Sequence, residues 1–324
     1  MRTIGGAPYS ARMQRAGDLQ RVWSPGRPVP VAAILRQQRR GRGDPTQGVD
    51  AAGRLWRASR TPDGPVSLAI SEQDADGAIA AWAWGAGSAW ALDQLPALLG
   101  DLDEWCGFEP RHPLIAEVRR RHPHLRVGRT DRVLEAIVPT VIEQKVTGQE
   151  AFAGFRALVR RFGEPAPGPA PAGLMLQPDA ETLCTIPSWA WLRLGIDPAR
   201  SRTVVGLARH ARALERLAGI GDDPAGEEVD RRLRSLPGVG VWTSAEVRQR
   251  AFGDPDAVSY GDYHVAKDVG WALTGRTFDD AELAAFLAPW RGHRGRIPFL
   301  VVTGGLRRPR HGPRMSPREH VRNA

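Results

Sequence analysis

A mainly helical protein of the α+β class, with a small amino-terminal antiparallel β-sheet domain, is the fold class this sequence predicts, on three observations. Strand-like runs are short and confined to about residues 45–90, where Leu55-Trp56-Arg57-Ala58 and Val66-Ser67-Leu68-Ala69-Ile70 carry the branched and aromatic content of strands. Helical periodicity dominates the rest of the chain. Between two helical patterns stands Leu236-Pro237-Gly238-Val239-Gly240, a turn built on two glycines.

Taken in order, residues 1–17 carry no periodic pattern and read as a disordered N-terminus, and 18–110 read as the sheet domain. Within it, residues 37–44, Gln-Gln-Arg-Arg-Gly-Arg-Gly-Asp, read as a basic loop. Residues 111–306 form the helical domain. Its proline-rich insert at 164–173 reads as a surface loop or stiff linker. Asp179 to Cys184 and Ala199 to Leu217 read as helices, the latter with Arg202, Leu207, Ala211 and Leu214 on one broad face. A tail from Arg307 to Ala324, rich in arginine, could track phosphates or simply be solvated.

Val229, Leu233 and Leu236 give one apolar face to a helix that Pro237 and Gly238 must end. Two glycines in three residues let the turn adopt positive φ and come close to a partner. Thr243 and Glu246 have the spacing of a capping box, so a second helix is expected from Thr243 to about Phe252. Free N–H groups of the turn and of that helix's first turn would then form an anion site, to which a DNA phosphate fits.

About twenty residues on, Asp256 to Gly261 reads as a loop or extended run, and Tyr263 to Leu273 as a helix with Val265, Val269 and Leu273 on one face. Asp262 falls at the N-cap, a position an aspartate can fill with no chemistry at all.

Composition narrows the partner. Lys and Arg exceed Asp and Glu by nine over 324 residues, and the pI near 10.7 favours a polyanion, although an arginine-rich compositional bias gives the same charge. The two cysteines, Cys106 and Cys184, argue against a disulfide-built secreted domain and are too few for a four-cysteine cluster. His112, His122 and His124 lie in a basic, proline-broken stretch that suits surface or phosphate contact better than a metal. With no long apolar run and no hydrophobic leader, a soluble cytoplasmic protein is expected, associated with a bacterial nucleoid and not with a membrane.

The block from Leu236 to Thr243, followed by Val258 to Val265, resembles the signature of the helix-hairpin-helix base-excision DNA glycosylases, in particular the AlkA-like 3-methyladenine DNA glycosylase II branch. Asp131 to Val146 is similar to that family's helix and DNA-wedge loop, and Trp23-Ser24-Pro25 to the start of its amino-terminal sheet domain. The resemblance spans roughly residues 20–300, and only the hairpin-to-Asp262 block is specific. It implies two helical lobes with the DNA cleft between them, and a monomer acting on double-stranded DNA with damaged bases.

It also implies roles. Asp262 would be the catalytic carboxylate, Trp242 and Tyr263 the pocket aromatics unless either is core, and Gly238, Val239, Gly240 and Thr243 the phosphate clamp. Gln144 and Lys145 match the wedge loop, where Gln144 fits better because relatives commonly carry an apolar or amide residue where Lys145 stands. No cofactor is expected, except that the resemblance alone allows a monovalent cation on hairpin carbonyls.

The chemistry this predicts is hydrolysis of the N-glycosidic bond of alkylated purines of the 3-methyladenine and 7-methylguanine type. A fixed carboxylate would stabilise the oxocarbenium-like sugar and activate water. The base must first be flipped out of the duplex. Cationic purines leave as neutral bases and stack well on aromatic rings. Bifunctional relatives use a lysine where Trp242 stands, so a monofunctional enzyme is implied. Two alternatives stay open: a glycosylase for oxidised or deaminated bases, and a non-catalytic DNA-binding protein.

Overall fold

The sheet positions everything that follows it. In the computed structural model, which describes residues 18–219, 226–306 and 308–309, β1 (Asp18–Trp23), β2 (Gln47–Val49), β3 (Leu55–Thr61), β4 (Gly64–Ile70) and β5 (Ile79–Trp84) form one antiparallel sheet in the order β1-β5-β4-β3-β2. The expected disordered N-terminus and nearly all of the basic tail lie outside the described residues. Strand β5 alternates cleanly: Ile79, Ala81 and Ala83 are buried against α2 (Ser88–Asp93), α3 (Leu95–Leu98) and α1 (Val31–Arg36), while Trp82 and Trp84 turn to the other face.

That second face explains the proline-rich insert. Its first residues pair as β6 (Glu164–Pro165) with β7 (Met175–Leu176), and the Ser67 hydroxyl donates to the Pro167 carbonyl at 2.6 Å. Trp84 stacks on Trp56 with centroids 5.1 Å apart, and Gly168 passes so close to Trp84 that a Cβ would overlap it. The insert therefore covers the sheet instead of linking units, because two tryptophans on one sheet face need an apolar cover. The basic loop at 37–44 is present as a loop, part of it turned inward. Arg40 and Asp44 are buried, and the Asp44 carboxylate accepts the Arg40 backbone N–H at 2.7 Å.

The helices divide between two cores. In the first, α5 (Val133–Ile142) is buried at Val133 and from Ala136 to Ile142 and is central, as a predominantly apolar helix must be. Around it lie α6 (Gly148–Phe162), α7 (Ala180–Thr185), α8 (Ser188–Arg193), α9 (Pro198–Arg209), α10 (Ala211–Glu215), α11 (Glu227–Arg234) and α12 (Val241–Val247). In the second, α4 (Pro113–Arg121) packs with α13 (Val265–Thr274), α14 (Asp280–Leu287) and α15 (Arg296–Thr303). Residues 248–264 connect the two.

The single helix expected over 199–217 breaks at His210, which resets its phase: Arg202 is exposed, and Val204, Leu207 and Leu214 face inward. His112 caps α4, accepting the Leu114 N–H at 3.2 Å, and its other ring nitrogen lies 2.9 Å from the Leu273 carbonyl.

Candidate active site

The hairpin is where the sequence places it, with different local mechanics. Gly238 has φ +82°, and a Cβ there would meet Thr203 Oγ1 at 2.5 Å, so glycine is required by the fold. Gly240 has φ −90° and open space around it. Glycine at 240 is not needed internally, and its bare backbone faces outward.

Helix α12 starts at Val241, two residues before the expected Thr243, with Gly240 as N-cap and no side chain capping it. The capping box does not form, because both of its members are engaged elsewhere: Glu246 binds Arg250 and Ser259, and Thr243 is buried inside the helix, accepting the Gln144 amide at 2.8 Å. Val239 points into the core and is 5% exposed, leaving only its backbone to the surface. After Val247 the chain widens into a π-helical turn, Arg248–Phe252, closed by Gly253 at φ +65°.

Helix α13 begins later than the sequence suggests. Oδ1 of Asp262 accepts the N–H groups of His264 at 2.7 Å and Val265 at 3.0 Å, which folds Tyr263 and His264 into a turn ahead of the helix. Asp262 caps that turn, and the formal N-cap is His264. Oδ2 lies 3.3 Å from the Trp242 indole nitrogen, so the tryptophan donates to the carboxylate across twenty residues of sequence. Both residues are half-buried. The loop is further held by Asp280, which accepts the Gly261 N–H at 2.9 Å, and by the Ser259 carbonyl, which accepts the Asp262 N–H at 3.2 Å. Burial pushes the nearby Tyr260 hydroxyl above its usual range, with the carboxylates of Asp256 and Asp280 adding to it against Arg294.

Gln144 and Lys145 follow α5 and part company. The Gln144 amide donates to the Gly238 carbonyl at 2.9 Å and to Thr243, tying this loop to the hairpin. Lys145 stands exposed beside it at φ +55°, a left-handed conformation that costs a lysine about 1–2 kcal/mol.

A carboxylate, an indole, a glycine hairpin and a strained loop tip thus share one surface between the two helical cores. A 3-methyladenine DNA-glycosylase from Archaeoglobus fulgidus has the same architecture, with a TM-score of 0.69 and 19% identity over 88% of this chain and 98% of that one. The fold is that of the helix-hairpin-helix DNA glycosylases. An 8-oxoguanine glycosylase/lyase from Clostridium acetobutylicum, solved with double-stranded DNA containing cytosine opposite 8-oxoG, shares it at a TM-score of 0.65 and 9% identity over 91% of this chain and 97% of that one. By sequence, a probable bifunctional transcriptional activator/DNA repair enzyme AlkA from Mycobacterium tuberculosis is 28% identical over 184 residues, which are 56% of this chain and 36% of that relative. No family profile matches the chain.

On this glycosylase fold, the structure brings Trp242 and Asp262 together, and Gln144 with the hairpin. Tyr263 stands apart. It is 69% exposed, and the Lys267 ammonium lies 3.6 Å from its ring centroid. Lys267 was not singled out from the sequence, although its i,i+4 spacing from Tyr263 could have flagged it. Among the described residues no three His, Cys, Asp or Glu side chains gather as a metal site, and no helix is long and apolar enough to cross a membrane.

Proposed function

We propose that the protein is a monofunctional DNA glycosylase that hydrolyses the N-glycosidic bond of alkylated purines in duplex DNA, with Asp262 as its catalytic carboxylate. The observation that carries this reading is the fixed, half-exposed carboxylate beside Trp242. Oδ1 is committed to the N–H groups of His264 and Val265, so the group cannot swing away, and Oδ2 has a longer contact to the indole. A carboxylate so held stabilises the positive sugar at C1′ without reorganising, and can orient the attacking water. Trp242 offers its indole to the cationic base and, having no amine, forms no imine with the sugar.

DNA backbone would lie against Gly240 and the uncapped first turn of α12. Because the Gln144 amide is used within the protein, Lys145 is the residue that enters or tracks the duplex at the flipped base, and Gln144 holds its loop. In the hairpin the Leu236 and Gly238 carbonyls each accept a protein N–H, and the proposed chemistry needs no cation. The partner is double-stranded DNA, bound by a monomer.

One observation favours a second substrate class. The Tyr263 ring carries the Lys267 ammonium on one face, so a cationic purine stacked on the other face meets like-charge repulsion from it. Neutral oxidised or deaminated bases do not.

The test is release of free base from methylated duplex by the wild type and by Asp262→Asn, with binding to an abasic-site analogue duplex measured beside it. Release by the wild type alone, with both proteins binding, supports the reading. Equal release by Asp262→Asn removes Asp262 from the chemistry, and release of oxidised or deaminated bases instead transfers the site to the second class.

A further inference from the structure

Beneath the candidate site runs a ladder of buried and half-buried charges that base excision does not use. It starts at Arg40, 4% exposed, in the loop that follows α1 in the amino-terminal region. The Arg40 guanidinium donates to Glu143 Oε1 at 2.8 Å, to the Thr140 hydroxyl at 3.2 Å and to the Ala136 carbonyl at 3.4 Å. Glu143 is the residue immediately before Gln144 and Lys145. From the same loop as Arg40, the Gln38 amide donates to the Arg250 carbonyl in the π-helical turn at 3.3 Å, and the Arg250 guanidinium donates to the Glu246 carboxylate. The other oxygen of Glu246 accepts the Ser259 hydroxyl at 2.5 Å. Ser259 in turn takes the Asp262 N–H on its carbonyl, and its hydroxyl receives the Gln249 amide at 3.2 Å.

Signs alternate along the ladder: Arg40, Glu143, Arg250, Glu246. Burial alone would push the Glu246 carboxyl up, yet Arg250, the Ser259 hydroxyl and Arg40 together hold it below its usual range. Burial and repulsion from Arg250 lower Arg40, with Glu143, Glu246 and Asp44 opposing them. Apolar side chains of similar volume commonly hold a fold as well as a buried charge network does, so stability is a poor explanation for four charges here. The adjoining cavity, about 30 Å³ and bounded by Gln38, Arg40, Glu135 and Arg250, admits roughly one water and no substrate. What the ladder does connect is the loop tip at one end and the Asp262 loop at the other.

We propose that Arg40 and Arg250 are positioning residues, through which the amino-terminal region fixes the distance between the Lys145 loop and the Asp262 carboxylate. The proposal rests on the glycosylase reading for its catalytic consequence, and not for its mechanical one. Each end of the ladder is a short loop, and a displacement of about 1 Å between reacting groups can cost on the order of a hundredfold in rate.

The test compares wild type, Arg40→Met, Arg40→Lys and Glu143→Gln in three measurements: amide hydrogen exchange, binding to intact and abasic-analogue duplexes, and single-turnover base release. Arg40→Met is expected to raise exchange together in residues 143–147 and 258–264 while α15 stays protected. It should lose preference for the abasic-analogue duplex with intact-duplex binding retained, and release base about tenfold to a hundredfold more slowly per folded molecule. Arg40→Lys should recover part of each, and Arg40→Met with Glu143→Gln should be no worse than either change alone. Should Arg40→Met fail to fold, Arg40→Lys, which keeps the charge and loses the fork of contacts, carries the same comparison.

Exchange that rises at one loop only, or everywhere in step with lost stability, would overturn the proposal, as would unchanged base release by a folded Arg40→Met. A wild type that releases no base would defeat the glycosylase reading alone, since coupled exchange at the two loops would still be seen.

Discussion

Gly238 and Gly240 stand one residue apart in the hairpin, and the structure predicts opposite consequences for replacing them by alanine. At Gly238 the backbone is left-handed at φ +82°, which costs a non-glycine residue about 1–2 kcal/mol. A Cβ would also press on Thr203 Oγ1 at 2.5 Å and Cγ2 at 2.7 Å, and the hydroxyl is already tied to the Ala199 carbonyl. Adding an overpacking cost of roughly 1–2 kcal/mol gives a destabilisation of about 2–4 kcal/mol for Gly238→Ala. At Gly240, φ is −90° and no atom lies within 4 Å of the added Cβ, so Gly240→Ala should stay within about 0.5 kcal/mol of wild type. If a phosphate approaches that bare backbone, the methyl group holds it off, and affinity for an abasic-analogue duplex should fall about tenfold, or ~1.4 kcal/mol. Urea unfolding and fluorescence-anisotropy titration measure the two quantities. Wild-type DNA binding by Gly240→Ala, or a stability loss equal to that of Gly238→Ala, would refute the assignment of 240 to the partner and 238 to the fold.

Lys145→Gly should stabilise the protein by about 1 kcal/mol by relieving its left-handed backbone, while lowering affinity for damaged duplex; thermal unfolding and binding together check this trade. Trp242→Phe removes the indole donor to Oδ2 of Asp262 and should slow single-turnover base release roughly fivefold, about 1 kcal/mol, with intact-duplex binding unchanged. Glu215, half-buried against the start of α5, has its carboxyl raised above the usual 4.5, chiefly by burial. A group raised on folding adds stability below its unfolded value and loses it as pH climbs through the folded one. Glu215→Gln should therefore gain on the wild type in unfolding free energy as pH rises from 4.5 toward neutral, and a difference that is flat in pH would refute the burial account.

Much of the site was legible because it is built from local chemistry. The Pro-Gly-Val-Gly turn could only end a helix, and Asp262 could only sit near a helix start, so their placement followed from short windows of sequence. The start of α12 was misjudged because the Thr243 and Glu246 spacing matches a capping box, whereas each side chain is claimed by a residue far away in sequence, Gln144 and Ser259. The same holds for Arg40. Three arginines and two glycines in eight residues look solvated, and nothing local announces that one guanidinium is aimed at a carboxylate 103 positions on. Of the two readings of the proline-rich insert, surface loop or stiff linker, the first holds, and its cover for Trp56 and Trp84 depends on strand pairing that sequence windows do not display.

Lys145 and Lys267, one at the loop tip and one over Tyr263, are the only lysines in a chain whose other basic side chains are arginine or histidine. Guanidinium groups are inert to reagents that acylate or reductively methylate amines, because they stay protonated. The protein therefore carries two built-in handles, one at the loop tip assigned to DNA and one on α13 over Tyr263, and nowhere else along its side chains. Isotopic dimethylation would place two resolvable probes there without any engineered substitution, and their protection or shift on adding duplex would report engagement of the loop and of α13 separately.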